Sequence, residues 1–404
     1  MKMADFSSPS FYADPYPVYE RLRKEGAFVP LMPGIWATGS YATTEMLLRD
    51  KRWGKEYLAY VHMRHGEERT KDAAFQTVHR SVLMLNPPEH TYMKGLLMKT
   101  FNAERIAEFR SNLQATTEHL VDSFIDKGSV DLVKHFAYPL PITAICILLG
   151  LDEEETLFLL TEGAAMVRPF LRVLDIAEIS MDQIEAANAA TKSLDEFFTR
   201  KLRKLRQSPG DDLISTLLTA EENGQRLTDE EIVASIFITF VAGHETTINM
   251  VANILISLYR NPDQLELVRQ NHSLIPPCIN ECLRYETSLQ ITSRHALEDM
   301  EFEGISFSEG ETIVICLGAV NRDPQRFIDP DRLVITRSDP GSRNLAFGAG
   351  AHYCIGAMLA TAELEIALRT LFRRIPDMRL TNLDDLRWLH LSTVRGVETL
   401  QAAW

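Results

Sequence analysis

Cysteine is scarce: the five residues at 146, 278, 282, 316 and 354 are odd in number and scattered through 404 positions, which is no disulfide framework. A reducing cytosol is the expected compartment. Glycine (20) and proline (18) are too few for a collagen-like or low-complexity chain, and 45% hydrophobic with 24% charged residues is the composition of a globular protein. Positive charge is in deficit, with 42 Lys and Arg against 56 Asp and Glu and a formal net charge of -14. A chain this acidic repels phosphate backbones, which argues against nucleic acid as a partner. Long apolar runs are also missing. The most apolar stretches are 136–151, broken by Pro139 and Pro141, and 232–243, both short of the ~20 residues that span a bilayer. The N-terminus turns polar at once, so neither an export signal nor a membrane anchor is expected.

What is present is helical periodicity without an internal repeat. Helices are predicted over 104–127, 154–173, 179–207 and 211–222, each bounded by Gly, Pro or polar turn residues. Short β-branched runs at 34–38, 311–315 and 394–401 read as a minor strand component, making the chain mainly α with minor β. A longer helix opens at the capping-box pattern Thr228-Asp229-Glu230-Glu231 and runs to Arg260, where Asn261-Pro262 stops it. At 1.5 Å per residue it is about 48 Å long. Its middle is apolar on most sides yet holds Gly243, His244, Glu245, Thr246 and Thr247, and buried polar groups require partners. A last helix is predicted from Ile355 to Arg374.

Immediately before that last helix, the segment 347–356 packs three glycines and one cysteine into ten residues. Glycines let the backbone run against a flat or bulky partner, and free N–H groups at a helix N-terminus favour thiolate over thiol. From the loop chemistry alone Cys354 is a nucleophile, a metal ligand or a buried structural cysteine. The spacing of Phe347, Gly348, Gly350, His352, Cys354 and Gly356 resembles the haem-ligand signature of the cytochrome P450 family in its soluble bacterial form. The resemblance implies haem b with Cys354 as axial thiolate, His352 on a haem propionate and Phe347 beside the sulfur. It also implies the family's fold, a triangular helical prism with the long central helix over the haem and a small β-rich region. On that reading residues 1–404 form a single domain, β-rich over about 25–55, 290–320 and 385–404 and helical over about 56–285 and 320–384.

Other stretches resemble the family in its order from about Asp14 onward. Ala242-Gly243-His244-Glu245-Thr246-Thr247 is similar to the oxygen-binding stretch, with Ala242 and Gly243 leaving room for O2 and Glu245 and Thr246 as the catalytic acid and hydroxyl of a proton relay. A mid-helix threonine can also simply bond back to the preceding turn. Glu281 and Arg284, 70 residues before Cys354, match the family's buried structural pair, with Arg332 as its third member. His90, Lys94 and Arg294 fall at propionate-binding positions, although Tyr92 and Lys94 stand where arginine is usual and lysine cannot make the bidentate fork. Leu333 replaces the family's Phe, and Thr361 its usual Arg.

Thiolate ligation favours O–O cleavage, so the expected activity is a haem-thiolate monooxygenase, hydroxylating or epoxidising a substrate with O2. The sequence has no flavin or iron–sulfur motif, so electrons from NAD(P)H are expected through an external ferredoxin or flavodoxin and its reductase. Lys94, Lys99 and Arg343 would form the docking patch of a monomeric enzyme. Helical geometry puts Ile238, Val241, Ala242 and Thr246 on one stripe. By resemblance the pocket also draws on 57–84, 164–174, 289–292 and 392–394, with Gln290, Ile291, Thr393 and Val394 as named lining residues. Its aliphatic composition suits a medium-sized, mostly apolar metabolite, terpenoid, steroid or fatty acid. A peroxide-driven peroxygenase is the first alternative, against which Glu245-Thr246 argues. A haem-thiolate sensor or gas-binding protein is the second.

Overall fold

The computed structural model describes residues 1–222, 225–338 and 343–404. Its principal helices are α1 (Tyr57–His65), α2 (Ala73–Arg80), α3 (Glu89–Met98), α4 (Ala103–Asp122), α5 (Pro139–Leu148), α6 (Glu153–Arg172), α7 (Met181–Gln207), α8 (Asp229–Tyr259), α9 (Ile275–Tyr285) and α10 (Ala357–Arg374). Local chemistry sets their starts. Asn102 accepts from Arg105 N at the head of α4, and capping boxes at Asp152/Glu155, Ser180/Gln183 and Thr228/Glu231 open α6, α7 and α8. The predicted helix 211–222 is shorter, Leu213–Thr219, because the chain turns into a two-residue strand at Glu221–Glu222 paired with Gln225–Arg226. That at 104–127 ends at Asp122, followed by a separate 3-10 turn.

The main sheet contains β1 (Val29–Met32), β2 (Ile35–Thr38), β3 (Trp53–Gly54), β4 (Ile291–Ala296) and β5 (Thr312–Cys316), in the order β1-β2-β5-β4-β3. β2 and β5 run parallel; the other pairs are antiparallel. The predicted strand at 394–401 resolves into isolated bridges at Val394 and Val397, and regular pairing begins only at Gln401–Ala403, against Ser129–Asp131 and Arg379–Leu380.

The central helix α8, 31 residues and about 46 Å long, is buried from Ile232 to Leu258 along most of its length. Its apolar surface packs on α5, α7, α9 and α10. Among the described residues it is also the one helix long and apolar enough to cross a membrane, but 67% of that apolar window is covered by the rest of the protein. The middle of α8 forms one wall of an internal cavity.

Candidate active site

The cavity, about 300 Å³, lies between α8 and the cysteine loop. From α8 the residues Ile238, Ala242, Thr246 and Met250 face it at a spacing of four, flanked by Thr239, Gly243 and Thr247. From the opposite side come Phe347, Gly348, His352, Cys354 and Gly356. The loop is shaped by glycines where none but glycine fits. Gly350 has φ +67°, and a Cβ there would lie 2.0 Å from the Leu48 carbonyl oxygen. Gly348 also takes a left-handed φ, +71°, and Cys354 N donates to Phe347 O at 3.0 Å, closing the loop on itself. Gly356 is the N-cap of α10, so Cys354 stands just ahead of that helix.

Four of the five cysteines are buried in protein; Cys354 alone presents accessible surface, and that surface is cavity wall. Burial pushes its thiol pKa up, opposed by the N–H groups of Gly356 and Ala357 and by the Lys94 ammonium. No group of three metal-ligating side chains occurs among the described residues. A metal held at Cys354 must bring its other ligands with it, as a porphyrin does.

The rim of the cavity is basic. His90, Lys94, Arg294 and His352 converge there, joined by Lys55, which the sequence had not singled out. The rings of His90 and His352 lie 4.1 Å apart. Burial lowers Arg294 to about 10, His90 to about 4 and His352 to about 2, the neighbouring cations adding to the effect on both histidines. None of the five side chains has an ion-pair partner among the described residues. Buried bases without acids fit a ligand that carries two carboxylates, and haem does.

On α8, Thr246 Oγ1 donates to Ala242 O at 2.9 Å, the back-bond open to any mid-helix threonine, while still bordering the cavity. Glu245 does not border it. Its Oε1 accepts from Asn249 Nδ2 at 3.2 Å, and burial raises its pKa against the pull of Asn249 and Arg168. Gly243 has a packing duty as well: a Cβ there would come within 2.6 Å of Ile145 Cδ1 on α5.

Several expected positions lie elsewhere. Val241, one residue off the cavity-facing stripe, packs into the core. Gln290 Oε1 accepts from Tyr19 OH and its Nε2 donates to Thr287 O, turning the side chain away; Ile291 packs in the Tyr19 cluster. Thr393 and Val394 are buried without reaching the cavity wall, because backbone bonds tie this stretch to Leu289 and Gln290. Of the expected segments, Val82 and Leu83 and the two ends of 289–292, Leu289 and Thr292, do line it, joined by Leu97 and Phe101, which the sequence had not pointed to. Glu363 also borders it, 1% exposed, with neither carboxylate oxygen partnered among the described residues and burial holding its pKa well above the usual range. It lies on the apolar stripe Leu359, Ala362, Ile366 of α10, an irregularity that was readable in the sequence.

The structural pair forms as expected, with a different third member. Arg284 Nε and Nη2 each donate to Glu281 at 2.8 Å, and Arg337 Nε reaches the same carboxylate at 3.1 Å. Arg332 contributes only its backbone oxygen, to Arg284 Nη2 at 3.0 Å; its side chain is 75% exposed and faces Asp329. The chain between 332 and 337 curls over Glu281, also donating Val334 N, so the next arginine closes the site. Arg284 Nη1 binds Asn321 O, and Asn321 Oδ1 accepts from Leu345 N at the head of the cysteine loop.

A cysteine loop under a long helix, with a basic rim that has no ion-pair partner among the described residues, fits a haem-thiolate protein. The chain belongs to the cytochrome P450 family, whose model matches residues 54–375. It is 43% identical over 402 residues to putative cytochrome P450 133B2 of Xylella fastidiosa, covering 100% of this chain and 99% of that protein. It is 34% identical to cytochrome P450 monooxygenase PikC of Streptomyces venezuelae, covering 98% and 92%. Its fold matches a crystal structure of P450BioI, in complex with acyl carrier protein ligated with hexadec-9Z-enoic acid, at TM-score 0.90 and 30% identity over 98% and 100% of the two chains. The protein is a cytochrome P450 monooxygenase, and its family uses haem with a thiolate ligand and O2.

Proposed function

We propose that the enzyme inserts one atom of O2 into a medium-sized, mostly apolar organic substrate, by hydroxylation or epoxidation, in the metabolism of specialised metabolites, terpenoids, steroids or fatty acids. The observation that carries this reading is Cys354 facing Thr246 across a cavity walled by Ile238, Val82, Leu97, Phe101 and Leu289. Haem, when bound, supplies the oxygen-activating chemistry, which a thiolate ligand directs toward O–O cleavage.

The protein's residues then have distinct tasks. Cys354 would hold the haem iron, the N–H groups of Gly356 and Ala357 and the Lys94 ammonium opposing the upward push of burial on its thiol pKa. Gly348 and Gly356 let the loop approach the ring, and Phe347 packs beside the sulfur. His90, Arg294 and His352 take the propionates. Lys94 is assigned differently from the sequence expectation: its Nζ donates to Ala351 O at 2.5 Å and Tyr353 O at 3.0 Å, so it braces the cysteine loop. Ala242 keeps the helix wall low. The Thr246 hydroxyl holds a proton at the cavity, and Glu245, next to it on the helix and with its pKa raised by burial, replenishes it. Glu281, Arg284 and Arg337 hold the scaffold.

Electrons come from NAD(P)H through an external ferredoxin or flavodoxin and its reductase. Their docking face is the exposed surface around Lys99, Arg343 and Tyr353 beneath the cysteine loop. The reading is of one domain working as a cytoplasmic monomer. A spectral-shift screen of compounds, followed by turnover with a ferredoxin system, tests it. Apolar compounds that shift the haem spectrum should yield oxygenated products with NAD(P)H consumption; binding without productive turnover would favour a sensor.

A further inference from the structure

Two buried cations share one carbonyl. Lys55 Nζ donates to Ser293 O at 2.9 Å and Arg294 Nη1 to the same atom at 2.8 Å, with the two side chains 5% and 4% exposed. Neither has an acid partner among the described residues, and each has N–H groups left over. Like charges held side by side out of water are costly unless an anion joins them. Both line the cavity rim beside His90 and His352.

The placement of Lys55 is built in. β3 pairs with β4 at Gly54↔His295, and one more residue in that register brings Lys55 alongside Arg294. Asn86 clamps its backbone from both sides, accepting from Lys55 N at 2.8 Å and donating to Lys55 O at 2.9 Å. A Cβ on Gly54 would stand 2.5 Å from the Asn86 amide oxygen, so glycine there lets the clamp close. Asn86 O in turn accepts from His90 N, tying Lys55 to the start of α3. Lys94 has meanwhile placed two of its three N–H groups on cysteine-loop carbonyls.

We infer that Lys55 is a haem-propionate ligand, acting with Arg294 on one carboxylate. The inference rests on the haem reading: a wild-type protein without a thiolate–haem spectrum would fail that reading, whereas the outcomes below fail Lys55 alone.

The test uses holoprotein and two kinds of readout. In Lys55→Gln, which keeps a donor for Ser293 O but no charge, ferric haem should transfer to apomyoglobin roughly tenfold faster or more, the loss of one charge-assisted bond. The ferric/ferrous midpoint potential should fall, since a cation near the propionate favours the more negative ferrous state. Lys55→Arg should keep both close to wild type, and Lys55→Met should match Lys55→Gln; if Lys55→Met does not fold, the Gln and Arg variants carry the comparison. Wild-type transfer rate and potential in Lys55→Gln would overturn the assignment. So would a Lys55→Gln enzyme with unchanged haem transfer whose spectral binding of a fatty acid, but not of the methyl ester, is weaker than the wild type's, since the carboxylate held would then be the substrate's.

Discussion

Two buried charged clusters in this enzyme are built on opposite plans. At Glu281, Arg284 and Arg337 the charges close on themselves: both carboxylate oxygens are bonded, and Arg284 spends its remaining donors on the carbonyls of Asn321, Pro330 and Arg332. At Lys55, His90, Arg294 and His352 the charges are left open, with histidines driven neutral and cations without acids. A closed cluster is architecture. An open one is a binding surface that awaits its counter-charge, and the difference is visible without any ligand in place.

The sharpest way to break the comparison is to remove the acid of the closed cluster. Glu281→Ala removes the buried carboxylate that Arg284 and Arg337 share, with an expected loss of about 3–5 kcal/mol. Little folded, haem-loaded protein should be recovered in expression trials, and a stable holoprotein would show that the cluster is dispensable. In the open cluster the matching change should act on the cofactor and spare the fold. Arg294→Met removes an uncompensated cation, so far-UV circular dichroism should stay near wild type while haem is lost faster by about tenfold or more. Equal damage to the fold in both variants would erase the distinction.

Within the α8 wall, Thr246→Ala is expected to leave substrate binding intact while NAD(P)H consumption runs into peroxide instead of product. Unchanged coupling would remove Thr246 from the relay. Acid gives another handle. His244, 1% exposed on α8, is lowered to about 4 by burial, against about 6.5 in an unfolded chain. Between those values the unfolded state binds the proton and the folded state does not. Stability is therefore intact above about pH 6.5 and falls as pH drops toward 4, and His244→Gln should flatten that slope in urea titrations at stepped pH. The smallest effect is expected of Arg332→Ala, within about 0.5 kcal/mol, because that side chain is 75% exposed; Arg337→Ala should cost clearly more.

Much of this site was legible before any coordinates. Helix starts at Asn102, Asp152, Ser180 and Thr228 follow local capping chemistry, and the glycine–cysteine loop encodes its own shape through φ values that other residues resist. What escaped is what depends on the path of the chain through space. Arg332 and Arg337 look alike in sequence, and only the curl of 332–337 over Glu281 decides between them. Gln290 and Thr393 read as pocket residues until tertiary bonds turn them toward Tyr19 and the neighbouring backbone. Lys55 carries no motif; a register two strands wide and a clamp from Asn86 make it part of the site.

Everything in the active-site account turns on the sulfur of Cys354 meeting iron across from Thr246. Carbon monoxide bound to the dithionite-reduced protein measures this directly. The wild type should show the far-red-shifted Soret band of a thiolate-ligated haem, and Cys354→Ser should lose it. A wild-type carbon monoxide complex with an unshifted band, or one that Cys354→Ser leaves unchanged, would contradict the assignment.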